Sequence, residues 1–359
     1  MKTINTNTQK AERNTLSFKS LLKRAVTVAA VAAIGISALS GCGSSNQQAS
    51  QTDSDKKVYK IGITQISDHP SLDNCRNGFI KGLENKGFKD GDNIKLEYVG
   101  AQDDMSKNTQ IASNFAAENL DLVCGIATPS AQALYAACLD KKIPVIFNAV
   151  SDPVAAKLAE SDTKPLPGIS GISDKLPVEA QLKLIREVLP DAKKIGILYS
   201  TGEANSVSTL EDYKKLAPNY GFEIVEKGIS KKADVPAAAD IVLNEVDCIS
   251  NMTDNTVVEN LPILLEKATA KNIPVFGSEE EQVGNGCIAS AGIDYIELGK
   301  KAGVMAARVL KGEDVKNIPY ETLTESKITI NTDAAEKIGV TIPQSITDRA
   351  EVKNAPSES

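Results

Sequence analysis

The sequence predicts an α/β protein made of two Rossmann-like, doubly wound lobes that face each other across a ligand cleft. Short apolar strands alternate with longer helical patterns, the strands are continuous apolar runs, and the whole series occurs twice. Alternation of strand and helix is what parallel sheets with helices on both faces require. A strand covered on both faces has no polar side, so it reads as an unbroken apolar run.

The first half opens with Val58-Tyr-Lys-Ile-Gly-Ile-Thr64 and the second with Lys193-Lys-Ile-Gly-Ile-Leu-Tyr199, so that Ile61 and Ile195 stand 134 residues apart. A helix follows in each half. In the first, Leu72, Cys75, Phe79, Ile80 and Leu83 fall on one helical face. Each helix ends at a Gly-Phe pair, Gly87-Phe88 and Gly221-Phe222, again 134 apart. Glycine there suits a left-handed C-cap. Next come Asp121-Leu-Val-Cys124 and Asp247-Cys-Ile249 at an offset of 126, then Ile143-Pro-Val145 and Ile273-Pro-Val275 at 130. Landmarks in one order at a nearly constant offset indicate duplicated halves.

After the second half, Tyr295–Leu310 reads as a helix, Lys327 to Asn331 as a short strand and Thr332 to Ile338 as a short helix; these suit crossovers between the lobes. The expected division is residues 58–168 with about 295–320 for the first lobe, 169–294 with about 321–345 for the second, and 346–359 as a tail.

Before the first strand lies material of another kind. Lys10, Arg13, Lys19, Lys23 and Arg24 precede an uncharged stretch from Ala25 to Leu39. Its 15 residues fall short of the ~20 that span a bilayer as a helix. A basic segment before a short apolar one reads as a signal peptide, residues 1–41. Leu39-Ser40-Gly41-Cys42 resembles a lipobox, which predicts lipidation of Cys42 and a protein held by its lipid on the extracytoplasmic face of the cell membrane. Residues 43–57 are rich in Ser, Gln, Asp and Lys, and read as a flexible tether.

Removing the leader, which holds six Lys or Arg and one Glu, takes the net charge from −7 to −12. So acidic a body argues against nucleic acid as a partner. Cys75, Cys124, Cys138, Cys248 and Cys287 are odd in number and match no metal or disulfide spacing. They are read as free thiols, with Cys124 and Cys248 inside strands.

In open parallel sheets, ligands bind beyond the carboxyl ends of the strands. The segments there are polar in both halves. The residues expected to meet a ligand are Thr64, Gln65, His69, Thr128, Ser130, Asn148 and Asp152 from the first half. From the second come Glu203, Asn205, Ser206, Asp254, Asn255, Glu279 and Asp294.

Those segments carry words that resemble one family, the ABC-transporter substrate-binding proteins that include tryptophan- and tyrosine-type binding lipoproteins. The words are Ile63-Thr-Gln65, His69-Pro-Ser-Leu-Asp73, Ala127-Thr-Pro-Ser-Ala-Gln-Ala133, Ser151-Asp-Pro-Val154, Glu203-Ala-Asn-Ser206, Thr253-Asp-Asn-Thr256, Gly277-Ser-Glu279 and Gly292-Ile-Asp294. The resemblance runs from about Val58 to Ile342. It implies a type I periplasmic-binding fold, capture of a small solute, often an aromatic amino acid, and an ABC permease as partner. The run Glu279-Glu280-Glu281 is longer than the single Glu of the family word, so only Glu279 is carried over.

Several of these residues have plain structural readings too. Asp254 suits a ligand ammonium, and equally a helix N-cap. Thr128-Pro129-Ser130 opens a helix, whose free N–H groups favour an anion such as a ligand carboxylate. Among Asp254, Glu279 and Asp294, Asp254 is the favoured ammonium partner, being in the opposite half from Thr128. His69 is the only histidine, so a His-rich metal site is excluded, and capping is as good a reading as lining a cleft. Glu280, Glu281, Asp103 and Asp104 read as solvated loop charges.

Enzyme readings fail on inventory: there is no Gly-x-Ser-x-Gly elbow and no Walker loop. Gly284-Asn-Gly-Cys-Ile-Ala289 imitates a dinucleotide fingerprint but precedes a strand instead of following one. No cofactor or metal is expected, and a monomer is. Sugar- and purine-sensing regulators share the two-lobed core but carry an N-terminal DNA-binding helix-turn-helix, where this chain has a leader and tether. The alternatives kept are a sugar- or nucleoside-binding protein of the same fold and a lipid-anchored sensor subunit. With no Trp and few strand-end aromatics beyond Tyr199 and Tyr295, sugar or nucleoside stacking is the weaker of the ligand readings.

Overall fold

In the computed structural model, which describes residues 57–354, the duplicated halves form two separate sheets. The leader, Cys42 and most of the tether fall outside the described residues. In chain order the strands are β1 Tyr59–Gln65, β2 Ile94–Gly100, β3 Leu122–Ile126, β4 Val145–Asn148, the small hairpin β5 Ala159–Ser161 and β6 Lys164–Pro165, and β7 Ile169–Ser173. The second half gives β8 Lys194–Ser200, β9 Glu223–Ile229, β10 Cys248–Ser250, β11 Val275–Phe276 and β12 Ala289–Gly292, followed by β13 Glu321–Thr322, β14 Lys327–Ile330 and β15 Glu351–Val352.

The first sheet runs β13-β7-β4-β3-β1-β2 and the second β15-β14-β12-β11-β10-β8-β9. Apart from β13, β14 and β15, each has the doubly wound order in which the second strand lies outside the first and the third lies on its other side. The direction of winding therefore reverses between β1 and β3 and between β8 and β10, and that is where such sheets bind ligands. All pairings in both sheets are parallel except β12 with β14. The central strands are buried along their whole length, as with the five residues of β3 and of β7, because helices cover both faces.

The helices are α1 Pro70–Asn85, α2 Met105–Ala117, α3 Thr128–Cys138, α4 Val178–Val188, α5 Ala204–Leu216 and α6 Val235–Val242. They continue with α7 Asn255–Glu259, α8 Leu261–Ala270, α9 Glu280–Gly284, α10 Tyr295–Leu310, α11 Thr332–Lys337 and α12 Gln344–Thr347. In α1 the predicted face is observed: Leu72, Cys75, Phe79 and Leu83 are buried, while Ile80 is half-buried. Burying side chains of this size contributes about 1.5–3 kcal/mol each.

α10 packs against α1 in the core of the first lobe, with Leu298, Ala302 and Ala306 beside Phe79 and Leu83. Glycines set their separation. A Cβ on Gly78 would stand 2.2 Å from the Ile296 carbonyl oxygen, and one on Gly82 2.2 Å from that of Lys300. Gly299 and Gly303 face the α1 backbone at 2.2 and 2.1 Å in the same way. The two backbones touch, which no side chain at these four positions would permit.

The chain passes between the lobes at residues 174–177, 293–294 and 323–326. The sequence reading ended the first lobe at residue 168, but Ile169–Ser173 is a strand of the first sheet, paired with β4. Residues 321–322 likewise pair with β7 of the first sheet instead of joining the second lobe. The segment read as a tail contains α12 and also β15, which extends the second sheet beside β14. All five body cysteines are free and buried.

Candidate ligand-binding site

Eight of the thirteen strands in the two sheets deliver a residue to one cavity between the lobes. Beyond β1 stand His69, Ser71 and Leu72; beyond β3, Ala127 and Thr128; beyond β4, Ala149 and Ser151; beyond β7, Asp174. The second lobe gives Asn205 beyond β8, Thr253, Asn255 and Val258 beyond β10, and Glu279 and Gln282 beyond β11. Tyr295 follows β12 and opens α10. The free space inside the cavity is about 20 Å³, enough for a water, so the lobes and their side chains must move apart for a larger ligand to enter.

The lining is polar and incompletely hydrogen-bonded. Both ring nitrogens of His69, Thr128 Oγ1, Asp174 Oδ1, Asn205 Oδ1 and Glu279 Oε2 are buried without a hydrogen-bond partner among the described residues. They are six of the ten such side-chain atoms, gathered in one place. A buried polar group left unpaired costs about 1–3 kcal/mol, so such a cluster is a set of donors and acceptors shaped for something else.

Electrostatically the cavity has two carboxylates, Asp174 and Glu279, and neither Lys nor Arg in its wall. Burial raises Asp174 above the usual carboxylate range, and the Tyr295 hydroxyl, 2.8 Å from Oδ2, pulls it partly back. Burial, and then the neighbouring Glu281 charge, push Glu279 well above that range. Burial lowers His69 to about 4, so its imidazole is neutral at physiological pH. The wall therefore suits a cation or a zwitterion and repels a simple anion.

The start of α3 supplies the complementary feature. Its N-cap is Ala127, which has no side chain to cap the first turn, and Pro129 stands in that turn. The N–H groups there have no intrahelical acceptor, and the helix dipole favours negative charge beside them. Ala127 and Ala149, both in the wall, have φ of 70° and 59°. A left-handed alanine is strained, and strain of this kind gathers at functional sites.

The lobes touch around the cavity. Ser71 Oγ of α1 donates to Glu279 Oε1, and Asn74 Nδ2 to Glu281 Oε1. Ser208 Oγ of α5 donates to Asp152 Oδ2, and Ser67 Oγ to Glu259 Oε2 at 3.4 Å.

Of the residues expected from sequence, the structure brings His69, Thr128, Asn205, Asn255 and Glu279 into the wall. The others are occupied nearby. Asp254, the favoured ammonium partner, caps α7 instead: its carboxylate accepts from Val257 N at 2.8 Å and from Ser200 N, and it lies outside the wall. Asp294 caps α10 and pairs with Lys327. Glu203 accepts from Asn255 Nδ2 at 2.6 Å and Thr256 Oγ1 at 3.0 Å, and so holds the start of α7. Ser206 shares a hydrogen bond with Asn205. Thr64 donates to the Val99 carbonyl, and Gln65 links Ser67, Asp73 and Arg76. Ser130 donates to Asn108, and Asn148 to the Cys75 carbonyl. Asp152 caps the turn at Val154 and Ala155.

Sequence reasoning missed Asp174, Ser71, Ser151, Thr253 and Gln282. Asp174 was findable, because Ile169-Ser-Gly-Ile-Ser173 is a fifth short run that ends at a carboxylate. Ser71 and Gln282 lie inside helices, where nothing in the sequence tells a cleft-facing turn from a solvent-facing one.

The family model for ABC transporter substrate binding protein matches residues 60–353. A tyrosine-binding protein of Clostridioides difficile is 43% identical over 323 residues, which cover 88% of this chain and 92% of that protein. Among solved structures, an ABC domain in complex with L-Trp from Streptococcus pneumonia is similar at a TM-score of 0.80 and 34% identity, over 82% of this chain and 100% of that one. A ligand-free, open substrate-binding protein from Clostridium difficile, 40% identical, gives a TM-score of 0.64 over 83% of this chain and 100% of that one. The chain thus superposes better on the ligand-bound relative than on the open one, despite the higher identity of the latter. That ordering agrees with the contacts that join the lobes around the cavity.

Proposed function

The chain belongs to the ABC transporter substrate-binding proteins, which work outside the cytoplasm, and from that premise we propose that its cavity captures a free amino acid with an aromatic side chain. One observation carries the reading: the wall holds two buried carboxylates and neither Lys nor Arg. A ligand ammonium would meet the unpartnered oxygens of Asp174 and Glu279. Its carboxylate would take the N–H groups at the start of α3 and the hydroxyl of Thr128. Leu72, Val258 and the ring of Tyr295 offer apolar surface for the side chain. The tyrosine-binding relative and the L-Trp complex support an aromatic one.

On this reading the protein hands its amino acid to a permease partner and is held to the membrane by a lipid on Cys42. Affinity is expected near micromolar, about −8 kcal/mol. Calorimetry against L-tyrosine, L-tryptophan, L-phenylalanine, L-leucine, ribose and adenosine tests the ligand class. Saturable heat from an aromatic amino acid is expected; tight binding of ribose or adenosine with no response to any amino acid overturns it. For the anchor, wild type should stay with membranes after a salt wash and Cys42→Ala should not.

A further inference from the structure

Glu279 stands where the cavity and the contact between the lobes meet. It follows β11 in the second lobe and is 1% exposed. Its two carboxylate oxygens face different partners. Oε1 accepts a hydrogen bond from Ser71 Oγ, on the first turn of α1 in the first lobe. Oε2 is buried, has no partner among the described residues, and belongs to a residue of the cavity wall. The other acid of the wall differs in this respect. Asp174 gives its bonded oxygen to Tyr295, whose helix packs in the first lobe, and β7, which leads to Asp174, belongs to the first sheet. A ligand held by Asp174 alone would not draw the lobes together.

We propose that Glu279 couples ligand capture to lobe closure: one carboxylate oxygen receives a ligand ammonium while the other latches Ser71 of the facing lobe. The ammonium rests on the amino-acid reading above; the latch does not. Burial, and then the Glu281 charge, push this carboxyl well above the usual carboxylate range and so disfavour its ionised form. An ammonium beside it acts in the opposite direction and favours the ionised form. An ionised acceptor makes roughly twice as strong a hydrogen bond, so the contact with Ser71 strengthens when the ligand binds. The ligand then interacts better with the closed arrangement than with the open one, which any ligand-driven shift requires. The adjacent bond from Asn74 to Glu281 extends the contact by one turn of α1.

The protein has no tryptophan, so the fluorescence of bound L-tryptophan reports its own release. Stopped-flow release and small-angle scattering at saturating L-tryptophan are compared for wild type, Ser71→Ala, Ser71→Thr and Glu279→Gln. Ser71→Ala should release the ligand about tenfold faster, the size of one lost bond to a charged group, and keep a larger radius of gyration at saturation. Ser71→Thr, which retains the hydroxyl, should restore both. Glu279→Gln should lose the preference for L-tryptophan over its deaminated analogue, indole-3-propionate. Wild-type release and scattering in Ser71→Ala, with the preference intact in Glu279→Gln, overturns the coupling alone. Wild-type protein that takes up no amino acid at all overturns the proposed function, and the coupling with it.

Discussion

Tyr295 Oη donates to Asp174 Oδ2 at 2.8 Å, and that bond ties together two of the three places where the chain crosses between lobes. Asp174 begins the crossover after β7, and Tyr295 ends the one after β12. Both side chains are buried and both line the cavity. The hinge and the ligand wall therefore share a hydrogen bond, so a change in one is felt in the other. Closure of two lobes about a few crossover residues is a hinge motion, and hinges absorb their rotation at such element ends.

Replacing Tyr295 by Phe keeps the ring and removes the donor. Oδ2 of Asp174 then loses the Tyr295 hydrogen bond. A cost of about 1–3 kcal/mol in stability is expected. Because the hydroxyl favours the ionised form, its loss also moves the Asp174 carboxyl further up, away from the form that pairs with an ammonium. Urea unfolding and calorimetry with L-tyrosine should show a lower midpoint and weaker binding in Tyr295→Phe. Two unchanged values would mean that the bond contributes to neither.

Asp254 is expected to behave as a structural residue. Its carboxylate caps α7 through Val257 N and satisfies Ser200 N. Asp254→Ala should destabilise by about 1–2 kcal/mol, as the loss of an N-cap does, while affinity stays within about threefold of wild type, since it makes no cavity contact. Asp254→Asn, with an amide oxygen to cap the helix, should recover most of the stability. Loss of binding in both variants, with stability intact, would return Asp254 to the site.

The two lobes and the position of the cleft were legible because they rest on period and repetition, which survive in one dimension. Ile61 and Ile195 open equivalent strands, and the strand ends they predict do converge. Sequence could not say which polar atoms at those ends are consumed locally. Asp254 and Glu279 look alike in the chain, each following a strand and preceding a short helix. Asp254 turns back onto the N–H groups of its own helix, whereas Glu279 makes no cap bond with α9 and points across to Ser71. That choice is made by side-chain direction and by the facing lobe. The close approach of α1 and α10 was equally hidden, because Gly78, Gly82, Gly299 and Gly303 acquire their meaning only as a pair of helices.

Those glycines give a graded prediction. A methyl group at Gly78 would sit 2.2 Å from a backbone carbonyl, which cannot rotate away, so α1 and α10 must separate. Gly78→Ala should cost about 3 kcal/mol or more, at or beyond the upper range for overpacking. Gly87 has φ of 88° but open space around it, so Gly87→Ala carries only backbone strain, about 1–2 kcal/mol. Thermal melting of the two variants should separate them clearly. Equal losses would show that the helices part at little cost.

His69 gives the chain a pH dependence that can be followed at one residue, since it is the only histidine. Its ring is buried at the start of α1 with both nitrogens unpartnered among the described residues. Burial lowers its folded pKa to about 4, against an opposing pull from the neighbouring Asn255 side chain and then from Asp73 and Asp68. In the unfolded chain it titrates near the ordinary 6.5. Below that pH the unfolded state binds a proton that the folded state refuses, so stability falls as pH drops from about 6.5 to about 4. A gap of that width amounts to roughly 3 kcal/mol over the whole interval. The buried acids act in the opposite sense: Asp174 and Glu279 are raised, so their contribution improves as pH falls. The histidine must therefore be isolated by difference. Wild type and His69→Gln, unfolded in urea at pH 7, 6, 5 and 4.5, should diverge steadily on acidification, with the variant losing less. The imidazole signals of the folded wild type should remain those of the neutral ring down to about pH 5. A folded-state midpoint near 6.5, or parallel stability curves for the two proteins, would show that water reaches the ring and that the wall of the cavity is more open there than its packing indicates.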